Sequence, residues 1–347
     1  MERRDFIRAA ILGSLATATG IKSAAAGTAA GSSAAGTAAG TAAGSSAAGT
    51  AAGTAAGAAA TSGSDEAEAF ADASNQLVAV MGGTPEAMYK KGIAEMGGIK
   101  RFISKGDKVV VKPNIGWDKA PEFAADTNPQ LIGAIVKDCL AAGAAEVVVF
   151  DHTCDTDWKS CYKRSGIQDA VESAGGRMAF GNDEKYYQEV SLPEGVRLKS
   201  TKIHQAIINC DKWINVPILK NHGGAKMSIS MKNHMGIVWD REYFHSNNLQ
   251  QCIADICTYK KRPVLNIIDA YRIMTQNGPK GKTVNDTMEA KALFISPDIV
   301  AVDTAAIKFF SQFKEMDIER VGHIGFGEKA HLGTTKLDTL KIKRVKL

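Results

Sequence analysis

The chain has 347 residues, with 42 Lys+Arg against 37 Asp+Glu and a formal net charge of +5. Four of the basic and two of the acidic residues lie before residue 65, which leaves 38 against 35 for the remainder. Such a balance, with no concentrated basic face, argues against a nucleic-acid binder, and the length beyond residue 65 is enough for one large α/β domain or two intimate lobes.

The chain opens with Glu2-Arg3-Arg4-Asp5-Phe6-Ile7-Arg8, then a small and apolar run from Ala9 to Gly20, then Lys22 and an Ala24-x-Ala26 cleavage pattern. This resembles a twin-arginine export signal over residues 1–26, so the expected partner is the twin-arginine export machinery and the expected location is the periplasm or another exported compartment. The apolar run is too short and too rich in Ala, Gly and Thr for a membrane span, beyond an uncleaved signal acting as an anchor. Residues 27–64 are almost wholly Ala, Gly, Thr and Ser, and Ser32–Gly44 recurs unchanged as Ser45–Gly57. Methyl groups and glycine alone build no core, so this reads as a flexible linker about 30 Å from end to end. A single α/β domain is expected over residues 65–347.

Lys108-Val-Val-Val-Lys112 reads as a strand ending in Pro113-Asn114, and Asn128-Pro129 starts a helix that stops at Gly143. Glu146 to Asp151 is the next strand, and Ser165-x-x-Gln168 has the form of a capping box opening a helix closed by Gly175. The stretch 178–205 suggests an inserted hairpin. Strands follow at Trp213–Leu219, Val264–Ile268 and Ala292–Ser296, with helices near 226–235, 247–260 and 298–313. The run Leu340 to Leu347 reads as an edge strand guarded by lysines. Alternation of strand and helix at these lengths predicts an α/β fold, a mostly parallel sheet with helices on both faces in Rossmann-like layers.

Of the six cysteines, Cys139, Cys252 and Cys257 fall in apolar helical phases and read as core thiols; only Cys154 and Cys161, flanking a loop, are placed to pair. There is no Cys-x-x-Cys-x-x-Cys run and hence no iron–sulfur motif, nor a Gly-x-Gly-x-x-Gly turn after the first strand.

In a parallel sheet the residues just past each strand converge on one edge. That edge collects Lys112 and Asn114, Asp151 and His152, Lys220 and His222, and Asp269, with Lys232, Asn233 and His234 directly after. The segments Asn215-Val216-Pro217-Ile218-Leu219-Lys220-Asn221-His222 and Lys232-Asn233-His234-Met235-Gly236, with Lys112-Pro113-Asn114 upstream and Asn277-Gly278-Pro279 downstream, resemble the family catalogued as domain of unknown function 362. Its pattern Pro-x-x-Lys-x-His followed by Lys-Asn-x-x-Gly is met at Pro217, Lys220, His222, Lys232, Asn233 and Gly236. The resemblance covers most of residues 105–310. Many members carry a ferredoxin-like module, and with no matching cysteine run in this sequence a member without one is expected.

Lys220 and Lys232 are placed to bind an anion or, if desolvated, to act as acid or base, and His222 as a base or metal ligand. His234 reads as a core histidine. Asp303 falls inside the buried stripe of its helix, in a Pro-Asp-x-x-Ala-Val-Asp arrangement that the family shares, and is expected either to pair with a site lysine or to cap a backbone amide. Catalytic candidates are therefore Lys220, His222, Lys232 and Asp303, and substrate-binding candidates Lys112, Asn114, Asn233, Asp269 and Asn277. The loop from Asp151 to Asp157 is dense in donors. Asp151 and His152 are its candidates for a metal ion, with turn and cap formation as the competing explanation.

These residues suggest an exported enzyme for a small anionic substrate, its reaction being redox, isomerisation or hydrolysis. The redox option rests on the ferredoxin fusions of relatives and on the export route. The alternative is a periplasmic ligand-binding or cofactor-delivery protein without turnover. A third reading comes from the order of strand, Pro-led helix, strand and Asp-His-Thr, which is faintly similar to the start of nickel-pincer lactate racemases; the Gly-Thr-His of that family is absent.

Overall fold

The computed structural model describes residues 75–347; the expected signal, linker and first ten residues of the domain lie outside them. Val109 and Val111 point to one side of the sheet and Val110 to the other, and the same alternation in Val147, Val148 and Val149 covers both faces with apolar layers. In chain order the elements are β1 (Gln76–Met81), α1 (Pro85–Glu95), β2 (Lys108–Pro113), α2 (Pro129–Ala141), β3 (Glu146–Val149), α3 (Trp158–Arg164), α4 (Ile167–Ser173) and β4 (Arg177–Met178). A two-stranded hairpin, β5 (Tyr187–Ser191) and β6 (Ser200–His204), stands apart from the main sheet, in the stretch where an insertion was expected. Then come α5 (Gln205–Asn209), β7 (Lys212–Val216), β8 (Ile218–His222), β9 (Lys226–Ser228), α6 (Ser230–Asn233), α7 (Glu242–Ser246), α8 (Leu249–Ile256), β10 (Leu265–Met274), β11 (Thr287–Ser296), α9 (Ile299–Phe310), α10 (Gly322–Lys329) and β12 (Lys341–Lys346).

The main sheet runs β12-β1-β11-β10-β7-β2-β3-β4, with β8 added beside β10 and β9 beside β8. The pairings β12–β1, β10–β7, β10–β8, β7–β2, β2–β3 and β3–β4 are parallel; β1–β11, β10–β11 and β8–β9 are antiparallel. The fold is thus α/β with a mixed, mostly parallel sheet. α1, α2, α3 and α4 pack their apolar stripes on one face, and α8, α9 and α10 on the other. Among the described residues no helix is long and apolar enough to cross a membrane.

Several local expectations change. The strand expected at Trp213–Leu219 is two strands broken at Pro217, which lacks an N–H: Val216 still pairs with Pro113, whereas Ile218 pairs with Asp269. The helix expected over 226–235 is β9, the short α6 and a 3-10 turn at His234–Ile237, because Lys226 takes a left-handed φ of 69° and Ile229 is extended. Ser165-x-x-Gln168 forms no capping box. Gly166 is the cap residue, the Ser165 hydroxyl accepts from Ile167 N–H, and Gln168 reaches Glu172. All six cysteines are free, with Cys154 exposed and Cys161 buried on α3, so the expected pairing is not formed.

Candidate functional site

Two lysines are buried at the ends of central strands, and each is held by groups from elsewhere in the chain. Lys112, at the end of β2, has no exposed surface; its ammonium lies 2.8 Å from Asp151 Oδ1 as an ion pair and donates to Asn233 Oδ1 at 2.9 Å. Burial pulls its pKa down and Asp151 works against that pull. The second carboxylate oxygen of Asp151 accepts from Ile115 N–H at 2.7 Å. Gly236 covers this pair so closely that a Cβ there would overlap both the carboxylate and the ammonium.

Lys220, on β8, donates to Asn114 Oδ1 at 2.9 Å and to the Ala125 carbonyl. Asn114 in turn donates from Nδ2 to Asn233 Oδ1 at 3.3 Å, so one asparagine amide joins the surroundings of both lysines. Burial lowers Lys220, while the neighbouring Asp126 favours its charged form. Asp126 is raised by burial; its Oδ1 accepts from Gly116 and Trp117 N–H, and its Oδ2 is buried without a partner. Burial thus acts on the two groups in opposite directions, lowering the lysine and raising the carboxyl.

Lys232 differs from both. It is half-buried on α6 and has no hydrogen-bond or ion-pair partner among the described residues, and burial, helped by the like charges of Arg241 and Lys112, lowers it to about 8. A cavity of about 20 Å³, roughly one water in size, is bounded by Asn114, Ser228, Lys232 and Asn233. The position of Lys232 depends on Asp303, whose two oxygens accept from Ser230 and Met231 N–H at 2.7 and 2.9 Å and so cap α6. Of the two roles expected for Asp303 the structure shows the amide cap and no lysine.

His222 Nδ1 accepts from Ala225 N–H at 3.0 Å, which leaves the proton on Nε2; burial and the cations Lys232 and Lys220 keep the ring neutral. Asp269 lies on β10 and accepts from Asn128 and Tyr271 N–H, tying the start of α2 to the sheet, and Asn277 donates to Asp286 inside its own turn. Neither side chain joins the lysines. The turn matters through a neighbour: Lys280 reaches Asp155 at 2.8 Å across Trp117, closing the rim. His152 donates from Nδ1 to Val238 O and stacks on Trp239, while Asp151 is committed to Lys112. No group of three or more His, Cys, Asp or Glu among the described residues could hold a metal ion, so the Asp151 and His152 expectation lacks a donor set. His234 is buried, with Nδ1 at Ser230 O.

The family model for the domain of unknown function (DUF362) matches residues 109–308, more than half of the chain and every lysine described above. The chain belongs to the DUF362 family. Among proteins similar to this DUF362 chain is the thylakoid-associated protein sll1697 of Synechocystis sp. (strain ATCC 27184 / PCC 6803 / Kazusa), 25% identical over 225 residues, which are 60% of this chain and 64% of that protein. Among solved structures, the lactate racemase apoprotein from Thermoanaerobacterium thermosaccharolyticum aligns with a TM-score of 0.38 and 13% identity, over 62% of this chain and 53% of that one. The chain therefore spans less than two thirds of the length of either.

Within the DUF362 site, sequence reasoning passed over four contributors. Asn215 and Asn266 extend the buried amide chain: Asn215 Nδ2 donates to Asn266 Oδ1, and Asn233 Nδ2 to Asn215 Oδ1. Their signal was an asparagine inside an otherwise apolar strand. Asp126 sits in a loop that reads as turn and cap residues. Arg241 donates to the carbonyls of His152 and Thr153 and to Cys154 Sγ, and so holds the donor-rich loop against the site.

Proposed function

We propose that the chain is an exported enzyme acting on a small anionic substrate, which binds at Lys232. The observation that carries this reading is an ammonium, half-buried beside two further lysines and an arginine, with no carboxylate of its own. Lys112 is neutralised by Asp151, and Asp126 is pushed toward its neutral acid, so the pocket has a surplus of positive charge that an anion would balance. Lys220 and Asp126 supply the acid and base: burial lowers the pKa of the lysine and raises that of the carboxyl, bringing both toward the range in which general acid–base catalysis works. Asn114 and Asn233 orient Lys112 and Lys220. The reading as an exported protein is supported by the Arg3-Arg4 leader and its Ala24-x-Ala26 pattern.

The test is calorimetric titration with a panel of small carboxylates and phosphates, followed by product analysis of those that bind. Lys232→Met should abolish binding. Lys220→Met should leave binding largely intact and abolish turnover. Binding with no product under any condition would move the chain to the ligand-binding class, and no binding at all would remove the anion site.

A further inference from the structure

The hairpin β5–β6 borders a second recess, lined by none of the residues that enclose Lys112, Lys220 and Lys232. Trp239 N–H donates to Lys202 O at 3.0 Å and Val238 bridges Ile203, so the segment leaving the 234–237 turn runs along β6 before it enters α7. Between the hairpin and the start of α7 lies a groove of about 480 Å³, a size that small organic ligands occupy. Trp239 and Tyr243 line it from one side, and Glu189 and Lys202, opposite one another on β5 and β6, from the other.

The walls are held by bonds outside the groove. Asp255 on α8 accepts from Arg197 and Leu198 N–H at 2.6 and 2.8 Å, and the Tyr243 hydroxyl donates to Arg197 O at 3.1 Å. Asp240 Oδ1 accepts from Tyr243 N–H at 3.1 Å and ties down the start of α7, while Trp239 stacks on His152 with parallel rings 5.0 Å apart. A recess fixed in this way needs little ordering when a ligand arrives.

Its charges do not balance. Lys202 is the one cation among the lining residues, and its ammonium lies 2.5 Å from Glu184. Glu189 has no hydrogen-bond or ion-pair partner among the described residues, and Asp240 adds a further carboxylate. Arg241, next in the chain, is committed to the carbonyls of His152 and Thr153. Two aromatic rings and a surplus of carboxylates in one preformed groove match a positively charged group on an apolar stem: ring faces attract cations, and carboxylates accept their N–H bonds.

We infer that this groove binds a small organic cation, an amine or guanidine on a short alkyl stem, at a site separate from Lys232. The stem packs on Trp239 and Tyr243, and the cationic end is drawn to Glu189 and Asp240. A neutral molecule of the same length gains the stem contact alone. The inference does not depend on the anion-binding reading, because the two recesses share no lining residue.

The experiment is calorimetric titration of the full chain with agmatine, 1,4-diaminobutane and the uncharged 1,4-butanediol. Both amines should saturate a single site and bind at least about tenfold more tightly than the diol. Glu189→Gln and Tyr243→Leu, both at exposed positions, should each weaken the amines, whereas Lys202→Met, which removes the competing cation, should tighten them. Lys232→Met should leave amine binding unchanged, which tells a failed anion site from a failed cation site. Amines that bind no better than the diol, uptake that does not saturate, or an affinity indifferent to Glu189→Gln and Tyr243→Leu overturns the inference and leaves the anion site untouched.

Discussion

The Lys112 ammonium lies 2.8 Å from Asp151 Oδ1 with both side chains out of contact with solvent. Breaking such a pair from one side leaves an uncompensated buried charge, whereas replacing both partners does not. Lys112→Met should therefore cost about 3–5 kcal/mol in urea unfolding. The double variant with Asp151→Asn, which keeps an acceptor for Ile115 N–H, should recover a large part of it. A single variant as stable as the parent would mean that the pair is not buried in solution.

Gly236 has an ordinary φ, so its role is proximity rather than a left-handed turn. Gly236→Ala puts a methyl into the Lys112–Asp151 pair, and overpacking of that kind costs about 1–3 kcal/mol. The thermal midpoint should fall accordingly, and a neutral effect would show that the 234–237 turn moves away freely.

Asp303 gives a pH signature. Its ordinary value of 3.8 is raised to about 7 by burial, against the opposing pull of the two amides that it accepts from. Between those values the folded chain binds more protons than the unfolded chain, so this contribution is fully present below about pH 4 and is lost as pH rises through 7. Asp269, raised to about 6 by burial, acts in the same sense. The buried imidazoles of His152, His222, His234 and His323, all held below their ordinary value by burial, act in the opposite sense, so the signature is read as a difference: the stability gap in melting midpoint between the parent and Asp303→Asn should narrow as pH rises from 4 to 7. A gap that widens over the same interval contradicts the assignment.

Anion binding should follow the protonation of Lys232. With its pKa lowered to about 8, the ammonium is present at pH 6.5 and mostly gone at pH 9.5, so affinity should be flat below 8 and fall about tenfold per unit well above it. Affinity that holds to pH 10 would place the charge elsewhere.

The parallel layering was legible because Val-rich strands alternate with capped helices, and the convergence of Lys112, Asn114, Lys220 and Asn233 follows from where their strands end. The destination of each buried carboxylate was not. Asp269 and Asp303 are satisfied by backbone amides, and an amide leaves no mark on residue type. The segment 226–235 misled because Met227, Met231 and His234 repeat at helical spacing, while the left-handed Lys226 and the cap from Asp303 decide otherwise. Gln250 and His323 meet each other only through the way α8 and α10 cross, which no local pattern encodes.

The dispersed origin of the groups around Lys112 and Lys220 sets an order of assembly. Lys112 needs residues 151 and 233, and Lys220 needs residues 114 and 125, so neither ammonium can be enclosed until segments more than a hundred residues apart have met. During refolding the sheet edge should stay hydrated and open while the apolar layers consolidate, and the pocket should close late and in one step.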